Sequence, residues 1–114
     1  MYNLDDLLKP DPASVKTVQV NGQTVYLRPL ASCTKDRIIS RFSEAVKDPD
    51  QMEGMTAEVV AGCLCDSDGV RLDLSDEQLE ALRRADSVLV DRLFEVAQEI
   101  SGIGETALED AEKN

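Results

Sequence analysis

Three cysteines, Cys33, Cys63 and Cys65, and the run Asp66-Ser67-Asp68-Gly69 offer this chain's candidate metal ligands and nucleophiles. A Cys-x-Cys pair can ligate a soft metal, but a tetrahedral zinc site needs four ligands, and the chain has one further Cys and no His. The acidic run invites a calcium reading. An EF-hand loop takes oxygen ligands from its first, third and fifth positions and a bidentate carboxylate at its twelfth, with Gly at the sixth. Setting Gly69 at the sixth position puts Leu64 first and Ser75 twelfth. Setting Asp66 first recovers Glu77 at the twelfth position but puts Arg71 where Gly belongs. The run therefore reads as an Asp/Gly turn, and no metal is expected. There is no His for base chemistry, no Gly-rich phosphate loop, and no Ser or Cys with an evident basic partner. The expectation is a protein that is not an enzyme and carries no cofactor. Its three cysteines are expected to be small packing residues.

Charge narrows the partners. The formal net charge is -11, and it is unevenly spread: residues 1–57 carry seven Lys/Arg against eight Asp/Glu, residues 58–114 five against fifteen. Binding through nucleic-acid phosphates, or to an anionic membrane surface, needs the opposite sign. A segment of ~20 apolar residues able to span a bilayer is also missing. The acidic second half leaves open a DNA mimic that inhibits a basic nuclease or repressor. The odd cysteine count and the absence of a signal peptide predict the reducing cytoplasm.

Periodicity gives the strands and helices around these residues. Residues 1–9 suit a short helix stopped by Pro10 and Pro12. Across residues 17–28, Val18 and Val20 alternate with polar residues, Asn21-Gly22 supplies a primed turn, and Thr24-Val25-Tyr26-Leu27 continues into a second strand. From residue 34 the period becomes helical. Thr34 is placed to cap a helix whose Ile38, Ile39, Phe42, Ala45 and Val46 share an arc of about 120°. Asp48-Pro49 ends it, and residues 48–55 read as a loop. Thr56 is placed to cap a second helix carrying Val59, Val60, Cys63 and Leu64. Val70, Leu72 and Leu74 alternate as an extended piece, and Ser75 with Gln78 forms a capping box ahead of Leu79 and Leu82. Ser87 opens the widest apolar helix, with Leu89, Val90, Leu93, Phe94, Val96, Ala97 and Ile100 in an arc of about 160°. Its stripe, Leu93, Phe94 and Ile100 included, is expected to be internal core at the centre of the fold. Gly102 and Gly104 should stop it, leaving residues 105–113 for a short acidic helix. The whole is one α+β domain over residues 1–114: a segment at 1–13, a β-hairpin at 17–28, and a helical part of about four helices from 34 to 114.

Two resemblances follow from these residues. Asp86-Ser87-Val88-Leu89-Val90-Asp91-Arg92-Leu93 is similar to the start of the serine helix of acyl carrier proteins, which implies a phosphopantetheine arm on Ser87. The departures are Val88 in place of that family's Leu and only ten residues after Gly104, where the family has two further helices. The second resemblance covers more. It rests on Leu64-Cys65-Asp66-Ser67-Asp68-Gly69-Val70-Arg71-Leu72-Asp73-Leu74-Ser75-Asp76-Glu77-Gln78-Leu79-Glu80-Ala81-Leu82, then Val90-Asp91-Arg92-Leu93-Phe94-Glu95-Val96-Ala97, then Ile100-Ser101-Gly102-Ile103-Gly104-Glu105. The chain ends Glu109-Asp110-Ala111-Glu112-Lys113-Asn114. In this order the chain resembles the tail assembly chaperones of siphophages and prophages, in detail over residues 56–114 and in outline over 14–47. The resemblance implies a protein of the host bacterial cytoplasm that binds the tape measure protein, helps recruit tail tube subunits, and is absent from the finished virion. It also implies the short form of a chaperone that can be made in a frameshift-extended form, and the possibility of a homo-oligomer. It assigns no partner-binding residue. A structural protein of the tail would instead persist in purified particles.

Overall fold

Positive φ at two successive residues is what a tight primed turn demands, and Asn21 (φ 52°) and Gly22 (φ 76°) meet it. They join β1 (Lys16–Val20) to β2 (Gln23–Leu27) in the register Val18↔Val25 and Val20↔Gln23. Val18, Val20 and Leu27 turn into the core, while Lys16, Thr17, Gln19, Gln23 and Thr24 face solvent. The computed structural model describes residues 1–103. It shows an α+β fold: an antiparallel hairpin on a mostly helical remainder. The expected helix at 105–113, and Gly104, lie outside the described residues. β3 (Leu64–Cys65) pairs antiparallel with β2 through Tyr26↔Cys65 and Leu27↔Leu64, so the hairpin becomes a three-stranded sheet. Leu64, expected in a helix, is therefore strand. The Arg28 amide donates to the Cys63 carbonyl at 2.9 Å and holds the chain extended as it leaves the helix.

The first helix, α1 (Leu4–Leu7), is capped by the Asn3 side chain accepting from the Asp6 amide, and it buries nothing. α2 (Ser32–Lys47) starts two residues before the expected Thr34 cap. Ala31 holds the N-cap position without a side-chain bond, and its carbonyl takes the Lys35 amide at 2.9 Å. Thr34 is the third residue of this helix, with its methyl toward Gly62 of the next one, and so lies past the cap position. Ile38, Phe42 and Ala45 are buried as their spacing predicts, whereas Val46 is exposed. Residues 49–52 form a 3₁₀ turn, Pro49–Met52, within the expected loop.

α3 (Met55–Cys63) also starts early. Gly54, at φ 76°, occupies the N-cap position in place of Thr56, a left-handed backbone that glycine adopts at little cost. Met55 is buried rather than in a loop. α3 packs on α2, on α4 (Asp76–Arg84) and most extensively on α5 (Ser87–Ser101). It buries Met55, Ala57, Val59, Val60 and Cys63, so the central position expected of α5 falls to α3, with α5 flanking it and β1. Gly102 stops α5 at φ 71°: its amide donates to the Glu99 carbonyl and that of Ile103 to Gln98, the paired bonds of a Schellman stop. Ser101, the one buried polar residue among those described, accepts from the Leu30 amide at 3.1 Å and lies 3.5 Å from the Cys63 sulfur. One hydroxyl thus ties α5 to the α2 lead-in and to α3.

Candidate functional site

The acidic turn spends its carboxylate on the backbone. Asp66 Oδ1 accepts from the Asp68 amide at 2.9 Å and from the Val70 amide at 3.0 Å, and the Asp66 amide donates to the Val70 carbonyl at 2.9 Å. Such an Asx turn reverses the chain. Gly69 completes it at φ 85°, with Pro10 packed so closely that a Cβ there would lie 3.1 Å from it. Among the described residues no three Cys, Asp or Glu side chains converge as a metal group would require. The reversal brings Arg71 opposite Cys65 as an isolated bridge, and the Leu72 amide donates to the Leu64 carbonyl at 3.1 Å.

Arg71 then fixes the returning segment. Its Nη1 donates to the Gly62 carbonyl and its Nη2 to the Pro29 carbonyl, both at 2.6 Å. Arg28 supports the same corner through Nη1 to the Gly69 carbonyl at 3.0 Å, with its Nε buried and without a partner. Burial first, and the neighbouring Arg28 charge second, lower the Arg71 pKa from its ordinary value. These bonds set Leu72 and Leu74 as one wall of a cleft of about 290 Å³. α2 contributes Thr34 and Arg37, α3 contributes Glu58, Ala61 and Gly62, and α4 contributes Leu79. Glu58 is ion-paired with Arg41, while Arg37 makes no ion pair with any described residue. Among the described residues the cleft therefore sets Leu72, Leu74 and Leu79 beside one cation that makes no ion pair, a chemistry for binding apolar side chains beside an anion.

The residues singled out from sequence are dispersed. Cys33 is exposed, against expectation, because it falls in the first turn of α2 on the solvent side. Cys63 and Cys65 are buried. Burial is the largest influence on both buried thiols and raises their pKa; the Ser101 hydrogen bond and Arg71 only partly oppose it at Cys63. Neither is poised as a thiolate. Ser87 is exposed in the first turn of α5, behind Asp86 at the N-cap position, and lines a separate cleft of about 180 Å³ with Leu82, Arg83 and Val90. The larger cleft was not legible in sequence. The alternation of Leu72 and Leu74 after the turn was its only signal, and the reach of Arg71 to two distant carbonyls had none. Comparison of the chain with protein-family models, curated proteins and solved structures gives no match.

Proposed function

We propose that this chain is a phage or prophage tail assembly chaperone. It binds the tape measure protein and helps recruit tail tube subunits in the host bacterial cytoplasm, through protein–protein contacts and without catalysis. The observation that carries this reading is the ordered series over residues 64–105: the Asp/Gly turn, the Ser75 capping-box helix, the Leu93-Phe94 helix and the Gly102 stop. A cleft walled in part by Leu72, Leu74 and Leu79 on an acidic chain supports it, since such a surface can hold the apolar face of a helical client while the net charge of -11 keeps the assembly dispersed. No helix among the described residues is long and apolar enough to cross a membrane.

Co-expression with the tape measure protein of the same genome tests the reading. The client should become soluble and co-purify, and finished tails should lack this chain. A client that stays insoluble and unbound removes the proposal. Exposure of Ser87 in the first turn of α5 favours one alternative, an acyl-carrier-like protein. A mass increase of one phosphopantetheine arm on Ser87 would establish it.

A further inference from the structure

The first helix carries an apolar stripe that is left exposed. Leu4, Leu7 and Leu8 recur at the i, i+3, i+4 spacing of a single helix face, with Tyr2 just ahead. Their exposures are 58%, 65%, 69% and 76%. Four residues of helix are too few to persist in water by themselves, so this element needs a surface to fold against. Its root is fixed: Pro10 packs on Gly69, and the Asp11 side chain accepts from the Ala13 amide at 2.9 Å. Residues 1–9 are therefore an arm projecting from an anchored base.

The cleft between α2, α3, α4 and the 70–75 segment has the complementary properties. At about 290 Å³ it sits at the lower edge of the ~300–1,000 Å³ range of small-molecule pockets, which suits a few aliphatic side chains better than a bulky cofactor. Leu72 stands at its lip 45% exposed. The charges match as well. On the arm, Asp6 is paired with Lys9 at 3.0 Å and points away from the leucine stripe, whereas Asp5 borders the stripe and makes no ion pair with a described residue. At the cleft, Glu58 is neutralised by Arg41, which leaves Arg37. Among the described residues, an anion without an ion pair beside apolar knobs thus matches a cation without one beside a leucine-walled recess.

We propose that the cleft of one copy receives the N-terminal arm of a second copy, with Leu4 and Leu7 against Leu72, Leu74 and Leu79, and Asp5 beside Arg37. Arm and cleft are different surfaces, so the contact is heterologous: two copies can exchange arms reciprocally, or successive copies can continue as a chain. This inference does not depend on the chaperone reading, because it needs no client.

Sedimentation of the untagged full chain over a range of concentrations tests it, at 0.15 M salt, where a Debye length of about 8 Å screens the repulsion between acidic copies. The wild type should associate. Leu4→Asp/Leu7→Asp in the arm and Leu72→Asp in the cleft should each weaken association about tenfold or more, the loss expected for a leucine side chain returned to water. An equimolar mixture of the arm and cleft variants should recover a one-to-one dimer, because it keeps one intact arm and one intact cleft. The exposed pair gives a check that leaves folding unchallenged: Asp5→Lys and Arg37→Glu should each weaken association, and the two changes in one chain should restore it. A wild type that stays monomeric at every concentration, including one whose arm folds back into its own cleft, overturns the proposal. So does an association that neither variant set changes.

Discussion

α3 and α4 are each nine residues long and pack against one another, yet they are held by different forces. α3 has no side-chain cap, carries the β-branched pair Val59-Val60 and a glycine at Gly62, and buries five of its residues. Local propensity argues against it, and tertiary packing makes it helical. α4 buries no residue. It has a complete capping box, Asp76 and Glu77 in its first turn, Arg83 and Arg84 in its last, and Glu80 bonded to Arg84 four residues on. The capping box and the charges at the two ends are local interactions worth from a few tenths to about 1 kcal/mol each, and the exposed Glu80–Arg84 pair is local as well. Burial thus decides the centre of the molecule, and the chain's own neighbours decide the rim where the cleft lies.

Truncation in α3 should do the most damage. Met55→Ala truncates a side chain only 1% exposed, and should cost about 2–5 kcal/mol in urea unfolding, depending on how far the core collapses into the space. Leu79→Ala, the α4 residue on the cleft wall, is half-buried and should cost clearly less. Equal losses would mean that α4 is held by burial too. Gly54→Ala comes next. Its φ of 76° opposes any Cβ, at about 1–2 kcal/mol, and the Arg83 guanidinium, 2.7 Å from the new atom, would have to swing away. Wild-type stability in this variant would show that Gly54 is there for another reason.

The same division explains what could be read from the chain beforehand. The Asn21-Gly22 hairpin, the 66–69 turn, the Ser75 capping box and the Gly102 stop were all legible, because each is settled by residues within five positions of one another. The starts of α2 and α3 were not. Thr34 and Thr56 carry capping side chains, but Ala31 and Gly54 are the N-caps, because both helices begin earlier and leave the two threonines inside their first turns. β3 was hidden for a similar reason: two residues show no alternation, and only their pairing with Tyr26 and Leu27 makes them a strand. The cleft depends on Arg71 reaching carbonyls nine and 42 positions away, which no spacing rule could supply.

Removing a local cap should be felt locally. Ser75→Ala loses the oxygen that accepts the Gln78 amide at 3.2 Å and keeps only the reciprocal bond from the residue-75 amide to Gln78 Oε1, at about 0.5–2 kcal/mol. Because α4 can fray without opening the core, amide exchange at residues 76–80 should accelerate more than exchange within α3. Alkylation of the fully buried Cys63 should change little. Equal acceleration in both helices would show that they open as one unit.

The smallest effect is electrostatic, and it separates the two helices on opposite sides of neutrality. At the end of α3, burial raises the Cys63 pKa above its ordinary value of 9.0. The stability gained by keeping that thiol protonated is complete below pH 9.0 and is lost as pH rises through the folded value. In α4 the sign reverses. The hydrogen bond from Arg84 Nε at 2.6 Å, followed by the Arg84 charge, lowers the Glu80 pKa below its ordinary 4.5. That contribution is complete above pH 4.5 and fades as pH falls through the lowered value. Glu80 is fully exposed, so its share is small and screened by salt. An NMR titration that follows the Glu80 carboxyl and the α4 amides together should show both moving below pH 4.5, with the α4 change lost in Glu80→Gln and reduced at high salt. If the α4 amides keep the same acid transition in Glu80→Gln, the end of α4 is held by something other than this pair.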